Sequence, residues 1–518
     1  MSRNSKNNGN LTCFMQNNQA SYNKQTMIDY AKKQTMSPLS VIITIAAYFG
    51  LLFTISYLAG RKADNEGFFV GNRRSSWYVV AFAMIGSSIS GVTYVSVPGM
   101  VAASSFGYLQ MVLGFITGQF IIAFVLVPLF YKMNLISIYE YLENRFGLAS
   151  YRTGAWFFFI SKMLGAAVRL FLVCLTLQLL VFEPYGLPFL LNVIITVGLV
   201  WLYTFRGGVK SLIWTDSLKT FCLVVSVVLC IGYIASDMNL TLASLSTIFA
   251  ENKMTQIFFF DDVNSKQFFF KQFLAGVFTM IATTGLDQDM MQRNLSCKNS
   301  KDSQKNMITS AISQFIIIFL FLMLGVLLYL FAASKQLEVT KSDELFPMIA
   351  TGGYFPAIVG ILFIIGLISS AYSAAGSALT ALTTSFTVDI LGTKGKDENT
   401  VVKMRKKVHV GMAFVMGLTI FVFNLLNNTS VIDAVYILAS YTYGPILGMF
   451  AFGIFMKQQV RDRYIPWVAI LSPALCYILQ SNSEAWFGGY QFSYEILIFN
   501  ALFTFIGLCL LIKKKENK

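Results

Sequence analysis

The side chains best suited to replacing water around a small cation or polar solute crowd into one apolar stretch, residues 76–103. Its middle reads MIGSSISGVTYVSVPG, placing Gly86, Ser87, Ser88, Ser90, Gly91, Thr93, Ser96, Pro98 and Gly99 where a plain membrane anchor needs leucines. In hydrocarbon an unpaired backbone amide costs several kcal/mol, so a broken helix survives only against protein or a watery cavity. Freed carbonyls and small hydroxyls at that depth are ligands for a cation or a polar solute. The segment is therefore expected to be a broken helix that forms a binding site.

Other residues suit the same chemistry. In GLISSAYSAAGSALTALTTSFTVDI, Ser370, Ser373 and Ser377 share one helical face, able to meet the Gly86–Ile89 break or to serve as a tight helix interface. Arg169, inside KMLGAAVRLFLV, lies near the middle of an apolar segment. It either grips a substrate carboxylate or hydroxyl, or pairs internally. Asp216 opens another segment, and either binds a cation or pairs with a neighbour such as Lys219. The GLDQDMMQRNLS run (Asp287, Gln288, Asp289, Gln292, Arg293) reads as a cytoplasmic gate or ionic cap. Tyr441 and Tyr443 either stack on a sugar-like ring or pack. Phosphate-loop, nucleophile-elbow and zinc-protease patterns are absent, and one histidine, His409, leaves no partner for acid–base work. The chain reads as no enzyme, and energy must come from an ion gradient unless transport is passive.

The elements positioning these residues follow from composition. Of 518 residues 56% are hydrophobic and 12% charged, with mean hydropathy +0.63, far from a soluble domain. Apolar segments fall at about 38–60, 76–103, 108–131, 153–182, 186–205, 211–235, 270–291, 307–333, 354–391, 404–426, 430–456, 464–481 and 491–512, which predicts about 13 membrane helices. The net charge of +14 resides mostly in short loops between them, a topology signal rather than a nucleic-acid surface. One set of loops (Arg61, Lys62, Arg73, Arg74; Arg206, Lys210; Lys403 to Lys407) is strongly basic. The alternate set holds only Lys253, Lys266, Lys335 and Lys341. The N-terminus is thus expected outside and the C-terminus in the cytoplasm, in a plasma or inner membrane. Met36 adjoins the first segment, so a start at Met27 or Met36 instead of Met1 is an open expectation. Segments 76–103 and 270–291 are both interrupted, the latter by Thr279, Thr283, Thr284 and Gly285. They stand an odd number of spans apart, as paired broken helices of inverted repeats would.

YEYLENRFG (139–147), TFRGGVKSLIWTD (204–216), DQDMMQR (287–293) and the serine-rich ninth segment ending in VDI resemble the sodium/solute symporter family, which includes sodium–glucose and sodium–galactose cotransporters and bacterial sialic acid transporters. The resemblance runs from about residue 38 to the last span. It implies an all-α, leucine-transporter-type five-plus-five inverted repeat that moves a small polar organic solute (sugar, sialic acid or carboxylate) with Na+ by alternating access. The runner-up is a proton-coupled or passive transporter of the same fold. The layout is a polar tail (1–35), a leading helix (36–60), a first half (76–235), an extracellular loop (236–269), a second half (270–456), two trailing helices (464–512) and a basic cytoplasmic tail (513–518). Carried over, the family's common sodium site falls on backbone carbonyls of Gly86, Ile89 and Ser370 with the Ser373 hydroxyl. A second site falls on Asp216, Ser373, Gly376 and Ser377. Ala374 and Gly376 stand where hydroxyls are often found, so one sodium is expected rather than two. Solute contacts are expected from Ser87, Ser88, Ser90, Thr93, Arg169, Thr283 and Tyr441. Sodium, the solute and membrane lipid are the expected partners; nucleic acid and an obligate protein partner are not.

Overall fold

The computed structural model describes residues 38–60, 76–133, 137–204, 209–339, 341–392, 397–426 and 431–513. The polar tail 1–35, with the alternative starts Met27 and Met36, lies outside these residues, as do most of the basic tail 513–518 and Arg61, Lys62, Arg73, Arg74 and Arg206. Among the described residues the architecture is helical. Eight helices are long and apolar enough to cross a membrane, nine when one bent pair counts as a span, with four shorter apolar helices besides.

In chain order the principal helices are α1 (Pro38–Gly60), α2 (Trp77–Ser88), α3 (Gly91–Ser104), α4 (Tyr108–Ile121), α5 (Leu148–Leu177), α6 (Phe189–Thr204), α7 (Val209–Asp237) and α8 (Phe269–Met280). They continue with α9 (Gln288–Asn294), α10 (Ser300–Ser334), α11 (Ala357–Ser385), α12 (Glu398–Leu426), α13 (Val431–Phe455), α14 (Ile465–Ser481) and α15 (Ile496–Leu510).

Two of the apolar stretches are broken. The ladder of α2 stops because Ile89 (φ −86°, ψ 99°) and Ser90 (φ −84°, ψ 166°) are extended, and α3 restarts with Ser90 as its cap. A helix end leaves its last carbonyls without ladder partners, so this break turns backbone oxygens into available ligands. The second break follows α8, where a π-turn at Ile281–Gly285 leads to Leu286 and an extended Asp287, and α9 departs at 74°.

Small residues fix these helices in place. A Cβ on Gly276 of α8 would lie 2.1 Å from the Met111 carbonyl oxygen of α4, so only glycine allows this close approach. At the first break, a Cβ on Gly91 would meet the Leu367 side chain at 3.3 Å, which seats the start of α3 directly on α11. Tyr94 of α3 then stacks on Phe363 of α11, ring centroids 5.3 Å apart, and its hydroxyl meets Ser226 of α7. The outward faces stay apolar, with Phe414 and Leu425 of α12 and Trp467 and Ile470 of α14 exposed, as hydrocarbon requires.

Candidate solute and cation site

The two breaks face a common cavity of about 120 Å³, several times what one water needs. Ser87, Ser88 and Ser90 line it from the first break, and Thr279, Thr283, Thr284, Asp287 and Asp289 from the second. Ser161, Lys162 and Arg169 of α5, Ser373, Ala374 and Ser377 of α11, and Tyr436 and Tyr443 of α13 complete the wall.

At the first break the pieces expected to hold sodium come together. Ser370 is fully buried and donates from Oγ to the Ile89 carbonyl at 3.3 Å, tying the broken strand to α11. Gly86 and Ile89 are buried beside it, and Ser373, one turn along α11, is buried at the cavity wall. Ser90 and Thr93 are mutually engaged, the Thr93 amide donating to Ser90 Oγ at 3.3 Å and the two hydroxyls 3.2 Å apart. Thr93 is therefore engaged with the cap of α3 and does not line the cavity, unlike Ser88 and Ser90.

The second break is built from charge. Lys162 Nζ donates to both carboxylate oxygens of Asp287 at 3.1 Å and to Asp289 Oδ2 at 3.0 Å, all three side chains buried. Arg293 approaches Asp289 Oδ1 at 3.5 Å through Nε and donates through Nη1 to Ser87 of the first break. Tyr443 donates to Asp287 Oδ2 at 2.6 Å, and Ser377 to Asp289 Oδ2 at 2.6 Å. Burying four charged groups is tolerable only because each is paired and hydrogen-bonded. Asp287, Asp289 and Arg293 thus belong to a buried network at the cavity wall and not to an exposed ionic cap.

Arg169 differs. It is half-buried in the cavity wall, two turns beyond Lys162 on α5, and its Nε is buried with no hydrogen-bond partner among the described residues. The described charged side chains lining the cavity are Lys162, Arg169 and Arg293 against Asp287 and Asp289, three cations to two carboxylates. One positive charge is left over, and Arg169 carries it.

Several expected site residues fall elsewhere. Tyr441 points away from the cavity, its hydroxyl donating to Gln480 and its ring packing on Cys476, Phe492 and Ile496. Tyr443, two residues on and so on the opposite helix face, is the tyrosine in the cavity. Thr283 lines the cavity, but its hydroxyl donates to the Thr279 carbonyl at 2.8 Å. The side chain of Asp216 lies outside the described residues, although its backbone belongs to α7. Sequence reasoning passed over Lys162 altogether. The available signal was a lysine seven residues before Arg169, on the same face of one apolar helix.

Residues 68–462 match the family model described as the Sodium:solute symporter family, and the chain belongs to that family. Among its relatives is the sodium/sialic acid symporter NanT of Aliivibrio fischeri, 25% identical over 451 residues, which cover 80% of this chain and 83% of that one. The human sodium/iodide cotransporter is 23% identical over 79% of this chain and 64% of its own length. Sodium-coupled monocarboxylate transporter 2 of Danio rerio is 24% identical over 80% and 66% respectively. These two matches thus span less than two thirds of the relatives' lengths. A solved structure of a Na+-coupled sialic acid symporter, substrate-bound and outward-open, superposes with a TM-score of 0.76 at 20% identity, covering 91% of this chain and 97% of that chain. That likeness establishes the leucine-transporter-type fold. The protein is accordingly a multi-pass, sodium-coupled symporter, not an enzyme, with Na+ as coupling ion.

Proposed function

We propose that the solute is a small organic anion carrying a carboxylate, bound by Arg169 in the cavity between the two breaks. The carrying observation is the unpartnered Nε of Arg169 in a cavity whose remaining charges are mutually neutralised. A guanidinium matches a carboxylate with two parallel hydrogen bonds, and an unpaired buried cation is costly until such a partner arrives. Ser88 and Ser90 supply hydroxyls for the rest of a polar solute. The relatives named for sialic acid and monocarboxylates are consistent with this chemistry.

Sodium binds at the first break, between the carbonyls of Gly86, Ile89 and Ser370 and the Ser373 hydroxyl, and stabilises the outward-open state by joining α2 to α11. The contact between Ser370 and Ile89 supports this reading, because it shows the two segments within ligand reach of each other. Solute then closes the two breaks together, and rocking of the bundle opens the cytoplasmic side. The inverted halves are taken as 76–235 and 270–456, with the N-terminus outside and the C-terminus in the cytoplasm, on the strength of the basic loops.

Uptake into proteoliposomes tests the solute class. Sialic acids, short carboxylates, hexoses and inositols are each offered under an inward sodium gradient and under an equal potassium gradient. Sodium-driven uptake confined to the carboxylates is the expected result. Uptake of a neutral sugar in preference to every carboxylate would reject the anionic assignment.

A further inference from the structure

We propose that Lys162 is a tethered cation occupying the place of a second coupling sodium ion at the second break, which limits the protein to one bound sodium per cycle. The inference deepens the sodium reading above and rests on it.

The surroundings of Lys162 Nζ are those a small bound cation would demand. Three carboxylate oxygens from Asp287 and Asp289 lie at 3.0–3.1 Å, at a wall of the same cavity that solute and ions enter. Hard cations are held by such oxygen sets, and an ammonium is a compact point charge that satisfies the same oxygens through its three protons. Ser377, a hydroxyl that resemblance assigned to a second sodium, donates to Asp289 at 2.6 Å, to the very oxygen that Lys162 also holds. Its neighbour Gly376 has no hydroxyl to offer. Charge closes the case: Asp287 and Asp289 are balanced by Lys162 and Arg293, so a further cation there would be uncompensated in a poorly screened setting.

A tethered ammonium differs from sodium in one functional respect. Its stem is anchored in α5, so with Arg293 it balances the two aspartates and cannot leave with the solute. It therefore supplies the electrostatics of a second ion without any of that ion's gradient energy.

Equilibrium binding of radioactive sodium to the purified full-length protein, without solute and at pH 8.5, counts the sites. The unaltered protein is expected to bind one ion, Lys162→Met two, and Lys162→Arg one. Two ions on the unaltered protein overturn the proposal, and so does a count that stays at one in Lys162→Met. The double variant Lys162→Met/Asp287→Asn removes one charge of each sign and is expected to bind one ion; two would contradict the account. Should Lys162→Met not yield folded protein, Lys162→Gln takes its place and is expected to bind two ions; one ion on it overturns the proposal. No sodium on the unaltered protein with one on Lys162→Met would reject the first-break sodium site while upholding the tethered cation. None on either rejects both.

Discussion

The two helix breaks solve the same problem in opposite ways. At Ile89–Ser90 the interrupted residues are uncharged, and Ser370 of α11 spans the gap with a long hydrogen bond of 3.3 Å. At Leu286–Asp287 the interruption is densely paired, with two carboxylates, two cations, a tyrosine and a serine all within one network. A site that must take up and release an ion needs ligands whose alternative partners are weak, whereas a network of mutually paired charges becomes structure. Under the proposed function the first break is the exchangeable one, and the second is the wall it works against. Arg169 stands apart from both as a cavity cation whose Nε has no hydrogen-bond partner among the described residues.

This contrast can be broken most forcefully at the second site. Asp289→Ala strips Lys162, Arg293 and Ser377 of a shared acceptor, and an orphaned buried charge costs about 3–5 kcal/mol. The thermal unfolding midpoint is expected to fall steeply, and a midpoint matching the parent would show that the network carries no structural weight. Next in size is Arg169→Gln. Losing a charge-assisted hydrogen bond of about 1.5–3 kcal/mol lowers carboxylate uptake roughly 10- to 100-fold with stability intact. Unaltered uptake in that variant would reduce Arg169 to a packing residue. At the first break Ser373→Ala removes one neutral ligand, about 1 kcal/mol, so half-saturating sodium should rise several-fold while the solute requirement changes little. Unchanged sodium affinity would move the ion off α11. The smallest effects separate the tyrosines: Tyr443→Phe should slow transport a few-fold by freeing Asp287, and Tyr441→Phe should leave it within about twofold. The reverse order would mean that the face of α13 turned towards Gln480 serves the cavity.

Much of this was legible in the residues. The crowd of glycines and hydroxyls from Gly86 to Gly99 announced a break, because no lipid-facing helix tolerates that composition, and Ser370, Ser373 and Ser377 announced a partner by their spacing. Arg169 was legible for the same reason, as an expensive charge in an apolar segment. The second break was only half legible. Its threonines and Gly285 were visible, but Asp287 and Asp289 read as a cytoplasmic gate or ionic cap because the sequence does not show how deeply a bent helix end is carried. The 74° bend and the close seat of α8 on α4 at Gly276 are three-dimensional features that one-dimensional spacing cannot express. Lys162 went unnoticed because its charge is cancelled by residues more than a hundred positions away. The choice between Tyr441 and Tyr443 depends on the rotation of α13, and apolar residues on both sides of SYTYGPILG leave that rotation open.

The most direct test of the exchangeable break is the thermal stability of the purified protein in sodium, potassium and choline chloride at matched ionic strength. Each salt is tested with a carboxylate solute and with its neutral amide. A ligand that binds only the folded state raises stability by RT ln(1 + [L]/Kd), so weak sites register at high concentration. The expected result is a rise specific to sodium, enlarged by the carboxylate and not by the amide, and shifted to several-fold higher sodium in Ser373→Ala. Equal midpoints in sodium and potassium, with or without the carboxylate, would contradict it.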